Sequence, residues 1–460
     1  MTTSSIEAFV STFQGSVIQP GDPEYNSARQ TWNLAFQARP ALIVYPDNKE
    51  AVASAVKFAL QENLPIAVQS TGHGVILPAD DSLLIKTSRM NNVRINAEQQ
   101  TAWIEAGVQW GEVLAASQPF GLAPLLGSSL NVGVVGYTLG GGMGWLARKY
   151  GLAADSVLSF ELVTPDGVQR QASARENTDL FWALRGGGGN FGIVTGMEIR
   201  LYPVTQVYAG NLLYPIDQAK AVFTRYREWI HSAPDELTSS IVIMNYPPIP
   251  QIPEFLRGKS YAIVRGCYCG SMEAGENLLK FWRDWQAPEV DGFKVMPFSE
   301  AAAISNDPHD PMPSYSSGMW LRELSDEVLD TVIENCVARP GALPLVVTEM
   351  RHAGGAINRT DDGVGAYGNR SAAHSLQFIA LSPSPEVNAA LEGFISSIKA
   401  KLQHYQTGGV YLNFLEGEEA RQRTPDGFGP ANFQRLQAAK AAYDPDNRMR
   451  HSFDIPPAAA

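Results

Sequence analysis

Cysteine is nearly absent. The 460 residues hold three, Cys267, Cys269 and Cys336, none in a Cys-x-x-Cys or Cys/His ligand spacing, which excludes a disulfide framework or a zinc site as an organising element. Basic charge is also short: 35 Lys and Arg against 47 Asp and Glu leave a net charge of -12. Such a surface repels a polyphosphate, so nucleic acid is not an expected partner. No apolar run reaches membrane-spanning length, and Met1 to Gln14 lacks the basic end and apolar stretch of a secretory signal. A soluble, cytoplasmic protein with no membrane partner is the expectation. The seven histidines show no His-x-x-x-His or His-Glu-x-x-His pattern, so no metal is expected. A Gly-x-Ser-x-Gly elbow, a Walker lysine and a paired-carboxylate motif are missing too, which removes the usual routes to hydrolysis and phosphoryl transfer.

What the chain does have is glycine in loops. A helix is predicted from Pro46, with Asp47 as cap, Glu50 three residues on, and Val52, Val56, Ala59 and Leu60 at helical spacing. The short apolar strand Ile66 to Val68 then empties into Ser70-Thr71-Gly72-His73-Gly74. Strands at Leu83 to Ile85 and Ala102 to Ala106 and a helix at Trp110 to Ala116 precede the most glycine-dense stretch, Leu125 to Gly144. That stretch is too rich in glycine for a stable helix interior or strand. A strand at Phe160 to Thr164, a helix at Thr178 to Leu184 and a strand at Ile193 to Leu201 follow. After Tyr202-Pro203 the glycine density drops. Helices at Gln218 to Ile230, Met272 to Trp285 and Ser325 to Val337 alternate with strands at Ser239 to Met244, Ser260 to Cys269, Pro344 to Arg351 and His374 to Leu381. That order fits a separate α+β domain with a largely antiparallel sheet.

Gly187, Gly189 and Gly192 satisfy Gly-x-Gly-x-x-Gly, but a helix precedes them and a strand follows, the reverse of a dinucleotide fingerprint. The two loops around Gly72 and from Gly127 to Gly144 are better placed to wrap a large phosphorylated cofactor with backbone N–H donors. One of them carries His73, and a neutral imidazole is a competent nucleophile toward the 8α-methyl of a flavin.

Ser70 to His73, Leu126-Gly127 through Val132-Gly133-Val134-Val135-Gly136 to Leu139-Gly140-Gly141-Gly142, Tyr150 to Asp155, Asp179 to Gly187, Asn190 to Thr195 and Tyr443 to Asn447 together resemble the FAD-linked oxidase family. The family is the vanillyl-alcohol-oxidase type, with a PCMH-type FAD-binding fold, and the likeness is to its berberine-bridge-enzyme-like branch over essentially the whole chain. The resemblance implies an α+β protein: a two-lobed FAD-binding domain from 1–205 and 412–460, and an α+β substrate domain with a largely antiparallel sheet from 206–411.

It also implies residue roles. His73 would hold FAD covalently through its 8α position. Ser129 stands where many relatives have a cysteine that forms a second bond, so a singly tethered flavin is expected. Gln69 replaces the usual arginine that opens the phosphate loop, leaving the pyrophosphate to backbone donors. The cofactor set implied is Gln69, Ser70, Thr71, Gly72, His73, Gly74, Gly127, Ser128, Ser129, Val132, Gly133, Gly136 and Leu139, with Gly140, Gly141, Gly142 and Gly144, whose missing Cβ atoms would clear the flavin. Asp155, Gly192, Ile193, Val194, Asn413 and Asn447 complete it.

Tyr411-Leu412-Asn413-Phe414 resembles the family's Tyr-x-Asn-Tyr element, with Phe414 replacing the second tyrosine. As a strand it would put Tyr411 and Asn413 on one face, Tyr411 as the base and Asn413 against the isoalloxazine. Glu349 and Arg351 share one face of a substrate-domain strand, as site residues or as a surface ion pair. Leu345 and Val347 stand where nicotine-oxidase-like members place charged residues. Tyr315, Trp320, Tyr411 and Phe414 are the aromatic supply for a substrate. The implied activity is an FAD-dependent oxidase that takes hydride from a C–H next to O or N of a small organic molecule, with O2 as acceptor. A flavin dehydrogenase with another acceptor and a non-redox flavin-fold protein are the alternatives.

Overall fold

Short strands build two sheets from residues 15–200 of the computed structural model, which describes residues 1–459 apart from Pro340, Ala342, Pro344 and Asp362. The first sheet contains β1 (Gly15–Ile18), β2 (Leu42–Pro46), β3 (Ile66–Gln69) and β4 (Leu83–Lys86), in the order β1-β2-β4-β3. Here β4 runs parallel to both β2 and β3 and β1 pairs antiparallel. As a central strand β4 buries all its residues, Lys86 included. The helix Lys49–Gln61 covers this sheet with Val52, Ala55, Val56 and Ala59. Its cap is Asn48, whose side chain accepts from the Ala51 N–H at 2.9 Å, and not Asp47. Asp47 instead pairs on the surface with Arg89 at 3.3 Å.

The second sheet, entirely antiparallel, contains β5 (Val93–Asn96), β6 (Thr101–Glu105), β7 (Val157–Val163), β8 (Gln169–Ser173) and β9 (Ile193–Arg200) in the order β5-β6-β9-β7-β8. The glycine-dense stretch corrects an expectation: Val134–Leu139 is helical. Val134, Val135, Thr138 and Leu139 bury one face of that turn in the core, and this burial offsets the propensity lost at Gly136.

Residues 206–381 form an antiparallel sheet from β10 (Gln206–Pro215), β11 (Leu237–Asn245), β12 (Ser260–Tyr268), β13 (Val290–Asp291), β14 (Lys294–Pro297), β15 (Ser314–Leu321), β16 (Leu345–His352) and β17 (His374–Leu381). The order is β13-β10-β12-β11-β16-β17-β15, with β14 also on β10. Of the expected strand Pro344 to Arg351, Pro344 lies outside the described residues. One face of the sheet is covered by the helices Ala219–His231, Asp326–Cys336 and Pro385–Lys401, which pack Phe223, Val332 and Ile395 onto Met350, Leu376 and Phe378. By the two-residue period the alternate residues, Glu349, Arg351 and Gln377, face the other way, toward the first lobe. The chain then returns to that lobe through the helix Pro430–Tyr443, where Leu436 joins its core and the Lys440 ammonium donates to the Asn190 carbonyl at 3.0 Å.

Candidate functional site

The loop after β3 carries His73. Its imidazole is partly buried, stacks on Trp32 with ring centroids 4.2 Å apart at 18°, and buries an Nε2 with no partner among the described residues. Burial pulls its pKa down to about 4 against an opposing contribution from Asn131, so the ring is neutral at neutral pH. The loop's conformation needs glycine at position 72, where φ is +81° and a Cβ would lie 2.9 Å from Thr31. Ser70 Oγ is a second buried atom without a partner. The two glycine loops touch: the Gly133 N–H donates to Thr71 Oγ1 at 3.4 Å, and a Cβ on Gly133 would stand 2.9 Å from Ser70 Oγ. Gln69 donates to the Gln30 carbonyl at 2.9 Å and so braces the approach to the loop, while Gly74 is exposed. Ser129 Oγ hydrogen-bonds Asn131 Oδ1 at 2.6 Å, and Asn131 Nδ2 donates to the His309 carbonyl at 2.8 Å.

Asn33, fully buried, fastens this loop to the rest of the molecule. Its N–H donates to the Gly72 carbonyl at 3.2 Å, and its Nδ2 donates to the Ser314 carbonyl and to Glu416 Oε1, both at 3.0 Å. Glu416 Oε2 accepts from the Ser316 N–H at 3.2 Å.

The second loop revises the reason for its glycines. A Cβ on Gly140 would lie 1.8 Å from Asn413 Oδ1, on Gly141 2.7 Å from Tyr367, on Gly142 2.5 Å from Tyr137, and on Gly144 1.8 Å from the Leu126 carbonyl oxygen. Contacts within the chain itself therefore already require glycine at these four positions. Gly127 is similarly closed by Tyr137 at 3.0 Å, whereas Gly136 faces open space. Val132 and Leu139 give their carbonyls to the Trp110 and Gly188 N–H groups. Ser128 lines a void between the lobes. The Asp155 carboxylate is engaged by Arg370, at 3.0 and 2.7 Å. Ile193 and Val194 are core residues at the start of β9, a Cβ on Gly192 would meet the Val163 carbonyl at 2.8 Å, and Asn447 occupies a left-handed turn at φ 51°.

Tyr411 and Asn413 lie at and within the 3-10 turn Leu412–Phe414, not on a strand, so the two-residue period does not bring them together. They meet all the same: Asn413 Nδ2 donates to the Tyr411 hydroxyl at 3.1 Å. The same oxygen accepts from the Gly142 and Met143 N–H groups at 3.1 and 2.9 Å. Burial raises the phenol's pKa, and these donors together with Arg351 oppose the rise. Three N–H donors on one oxygen are the contacts that stabilise a phenolate, but burial outweighs them and the hydroxyl's pKa stays above its ordinary value.

Glu349 and Arg351 are no surface pair. Glu349 is 2 % exposed; it accepts from Arg351 Nε at 2.8 Å and Ser240 Oγ at 2.6 Å, with Arg265 Nη1 at 3.7 Å. Burial alone would raise its pKa, but Arg351, Arg265 and Ser240 outweigh it and hold the carboxyl below its ordinary value. The Arg351 guanidinium lies 4.9 Å over the Phe414 ring. Trp320 joins the Tyr411 cluster, while Tyr315 belongs to the core on the helix side of the sheet and leaves the aromatic supply.

The sequence reading missed Gln377, which pairs in register with Glu349, donates to Ser316 Oγ at 3.3 Å, and buries an Oε1 with no partner among the described residues. A glutamine at an alternate position of an otherwise apolar strand was the available signal. Trp32, far from the glycine motifs, gave none.

No metal-holding group of three or more His, Cys, Asp or Glu occurs among the described residues, and no helix there is long and apolar enough to cross a membrane. For an organic cofactor the fit is better. Among the described residues, His73 Nε2 and Ser70 Oγ on the first loop and the Tyr137 hydroxyl on the helix Val134–Leu139 are buried polar atoms without partners, and such atoms require a partner of some kind.

Comparison with known proteins agrees. Residues 40–173 match the model of an FAD binding domain, and residues 410–456 that of the berberine and berberine-like group. The chain is 30% identical over 96% of its length, and 97% of the relative, to the uncharacterized FAD-linked oxidoreductase YgaK of Bacillus subtilis. It is 27% identical to (R)-6-hydroxynicotine oxidase of Paenarthrobacter nicotinovorans, over 97% of each chain. Among solved structures, 6-hydroxy-D-nicotine oxidase of Arthrobacter nicotinovorans superposes with a TM-score of 0.84 at 24% identity, over 97% of this chain and 99% of that one. The berberine-bridge-enzyme-like 1 protein of Physcomitrella patens gives 0.85 at 22%, over 99% and 100%. With its loops, its two sheet-bearing lobes and these likenesses taken together, the chain belongs to the FAD-linked oxidoreductases of the PCMH-type fold, in their berberine-bridge-enzyme-like branch.

Proposed function

We propose that FAD is attached covalently to His73 through its 8α position, with no second, cysteinyl bond because Ser129 holds that place. The observation that carries this reading is the neutral imidazole whose Nε2 is buried and unpartnered beside two glycine loops. Residues 1–205 and 412–460 form the FAD-binding domain, and 206–411 supply the sheet that roofs the isoalloxazine. Bound there, FAD supplies an acceptor for hydride from a C–H next to O or N of a small organic substrate and passes the electrons to O2.

The chain's own groups do the rest. Gly133 and Thr71 hold the two loops together, and Gln69 braces the first against Gln30. Tyr411, once it has lost its own proton and is held as a phenolate by the three N–H donors on its oxygen, would take the heteroatom proton as hydride leaves. Asn413 holds that hydroxyl and, through the Tyr137 carbonyl at 3.0 Å, the helix below it. Glu349, fixed by Ser240 and two arginines, keeps Arg351 in place on the roof. Closure of the sheet over the loops excludes water.

The test is the visible spectrum of acid-denatured protein. Yellow colour is expected to stay in the wild-type pellet and to wash out of the His73→Ala pellet; a colourless wild-type pellet would reject the covalent assignment. Oxygen consumption on substrate addition tests the acceptor. Tyr411→Phe should keep the tether and lower kcat/KM by about 100-fold or more, the range for a positioned base. A loss below about fivefold would assign Tyr411 to packing.

A further inference from the structure

We propose that Arg351 is a substrate anchor, and that the substrate of the site described above carries a carboxylate which the two terminal nitrogens of this guanidinium receive. The inference deepens the flavin-site reading and rests on it.

Two contacts fix the guanidinium before any substrate arrives. Its Nε donates to Glu349 Oε2 at 2.8 Å, and Glu349 is itself held by Ser240 Oγ at 2.6 Å, so the fork cannot swing about its stem. Phe414 packs against its face at 4.9 Å. Yet among the described residues no acceptor lies within hydrogen-bond distance of Nη1 or Nη2. The side chain is only 17% exposed. A buried, immobilised fork with its outer edge unused has the geometry that receives two parallel oxygens.

Arg351 also lines, from the roof, a narrow void of about 10 Å³ between the lobes, whose other walls include Ser128, Met143, Gly144 and Trp145 from the glycine loop. The Met143 N–H donates to the Tyr411 hydroxyl, so the anchor and the proposed base stand at one interface. Charge argues the same way. Glu349 is matched by both Arg351 and Arg265, two cations to one anion, and the further carboxylate acting on Arg351, Asp307, makes no ion pair with it within 4.0 Å. An ammonium placed here would face an unmatched guanidinium, and a neutral alcohol would use one donor of the fork. A carboxylate uses both.

Calorimetric titration of the flavin-loaded protein with benzoate and with benzamide, which share shape and differ in charge, tests this. Benzoate is expected to bind at least about tenfold tighter, the discrimination a charged hydrogen-bonded pair gives. Arg351→Gln should erase the difference and Arg351→Lys restore part of it. The double variant Glu349→Gln/Arg351→Gln, which leaves no unmatched carboxylate, guards against a single variant that fails to fold. Equal binding of the two probes by wild-type protein, or absence of binding by either, overturns the anchor. So does a benzoate preference that survives Arg351→Gln, even where that variant shifts the flavin potential. A yellow protein that ignores benzoate leaves the flavin reading intact, whereas a colourless one overturns both.

Discussion

Lys440→Met is expected to destabilise the fold by about 3–5 kcal/mol, the cost of leaving a buried charge without its partner. Lys440 and Asp444 are 0% and 1% exposed, with 2.6 Å between ammonium and carboxylate. Burial lowers the lysine's pKa, and Asp444 works against that shift. The lysine also holds the Asn190 carbonyl at 3.0 Å, and Asp444 also accepts from the Arg448 and Met449 N–H groups at 2.8 and 2.9 Å. Removing the ammonium therefore strands a carboxylate and frees the closing helix from the first lobe. Denaturant unfolding followed by circular dichroism measures the loss. Lys440→Met combined with Asp444→Asn should recover part of it, because no charge is then left behind. A single variant within about 1 kcal/mol of wild type would show that solvent reaches the pair.

The second large effect is a dependence on pH. Glu416 is 9% exposed and has no cation beside it; burial pushes its pKa up to about 8 against the hydrogen bonds from Asn33 and Ser316. The folded chain thus keeps a proton that the unfolded chain gives up near the ordinary value of 4.5. Its contribution to stability is complete below that value. It is lost as pH rises through the window up to about 8, at a slope of up to about 1.4 kcal/mol per pH unit. Thermal unfolding at pH 5 and pH 8 should show the fall in wild type and a flatter profile in Glu416→Leu. Parallel profiles would mean that the carboxyl is ionised and solvated in the folded state.

How much of this could be read from the sequence depended on what each residue's role required locally. The helix Thr178–Leu184 and the strand His374–Leu381 match their expected bounds because apolar spacing and flanking breakers fix both. The cap at Asn48 was assigned one residue early because Asp47 and Asn48 are both good caps, and only the pairing of Asp47 with Arg89 separates them. Val134–Leu139 was hidden because propensity is local, whereas the burial that sustains this helix comes from the whole lobe. Gly140 and Gly144 were marked as special, but the groups that forbid a Cβ there are Asn413, 273 positions away by number, and the Leu126 backbone. Likewise the burial of Glu349 could not be inferred from a Glu-x-Arg spacing that suits a surface strand equally well.

The joint at Asn33 has a consequence for the order of events in the cell. A nascent chain has its histidine loop early, but the carboxyl that completes this joint comes from Glu416, 383 positions after Asn33. Until that residue emerges, only Ser314 and Met312 tie this segment to the roof, and the joint lacks its carboxyl. If FAD is attached at His73 as proposed, the loop that would carry it therefore reaches its full set of contacts only once Glu416 has been made.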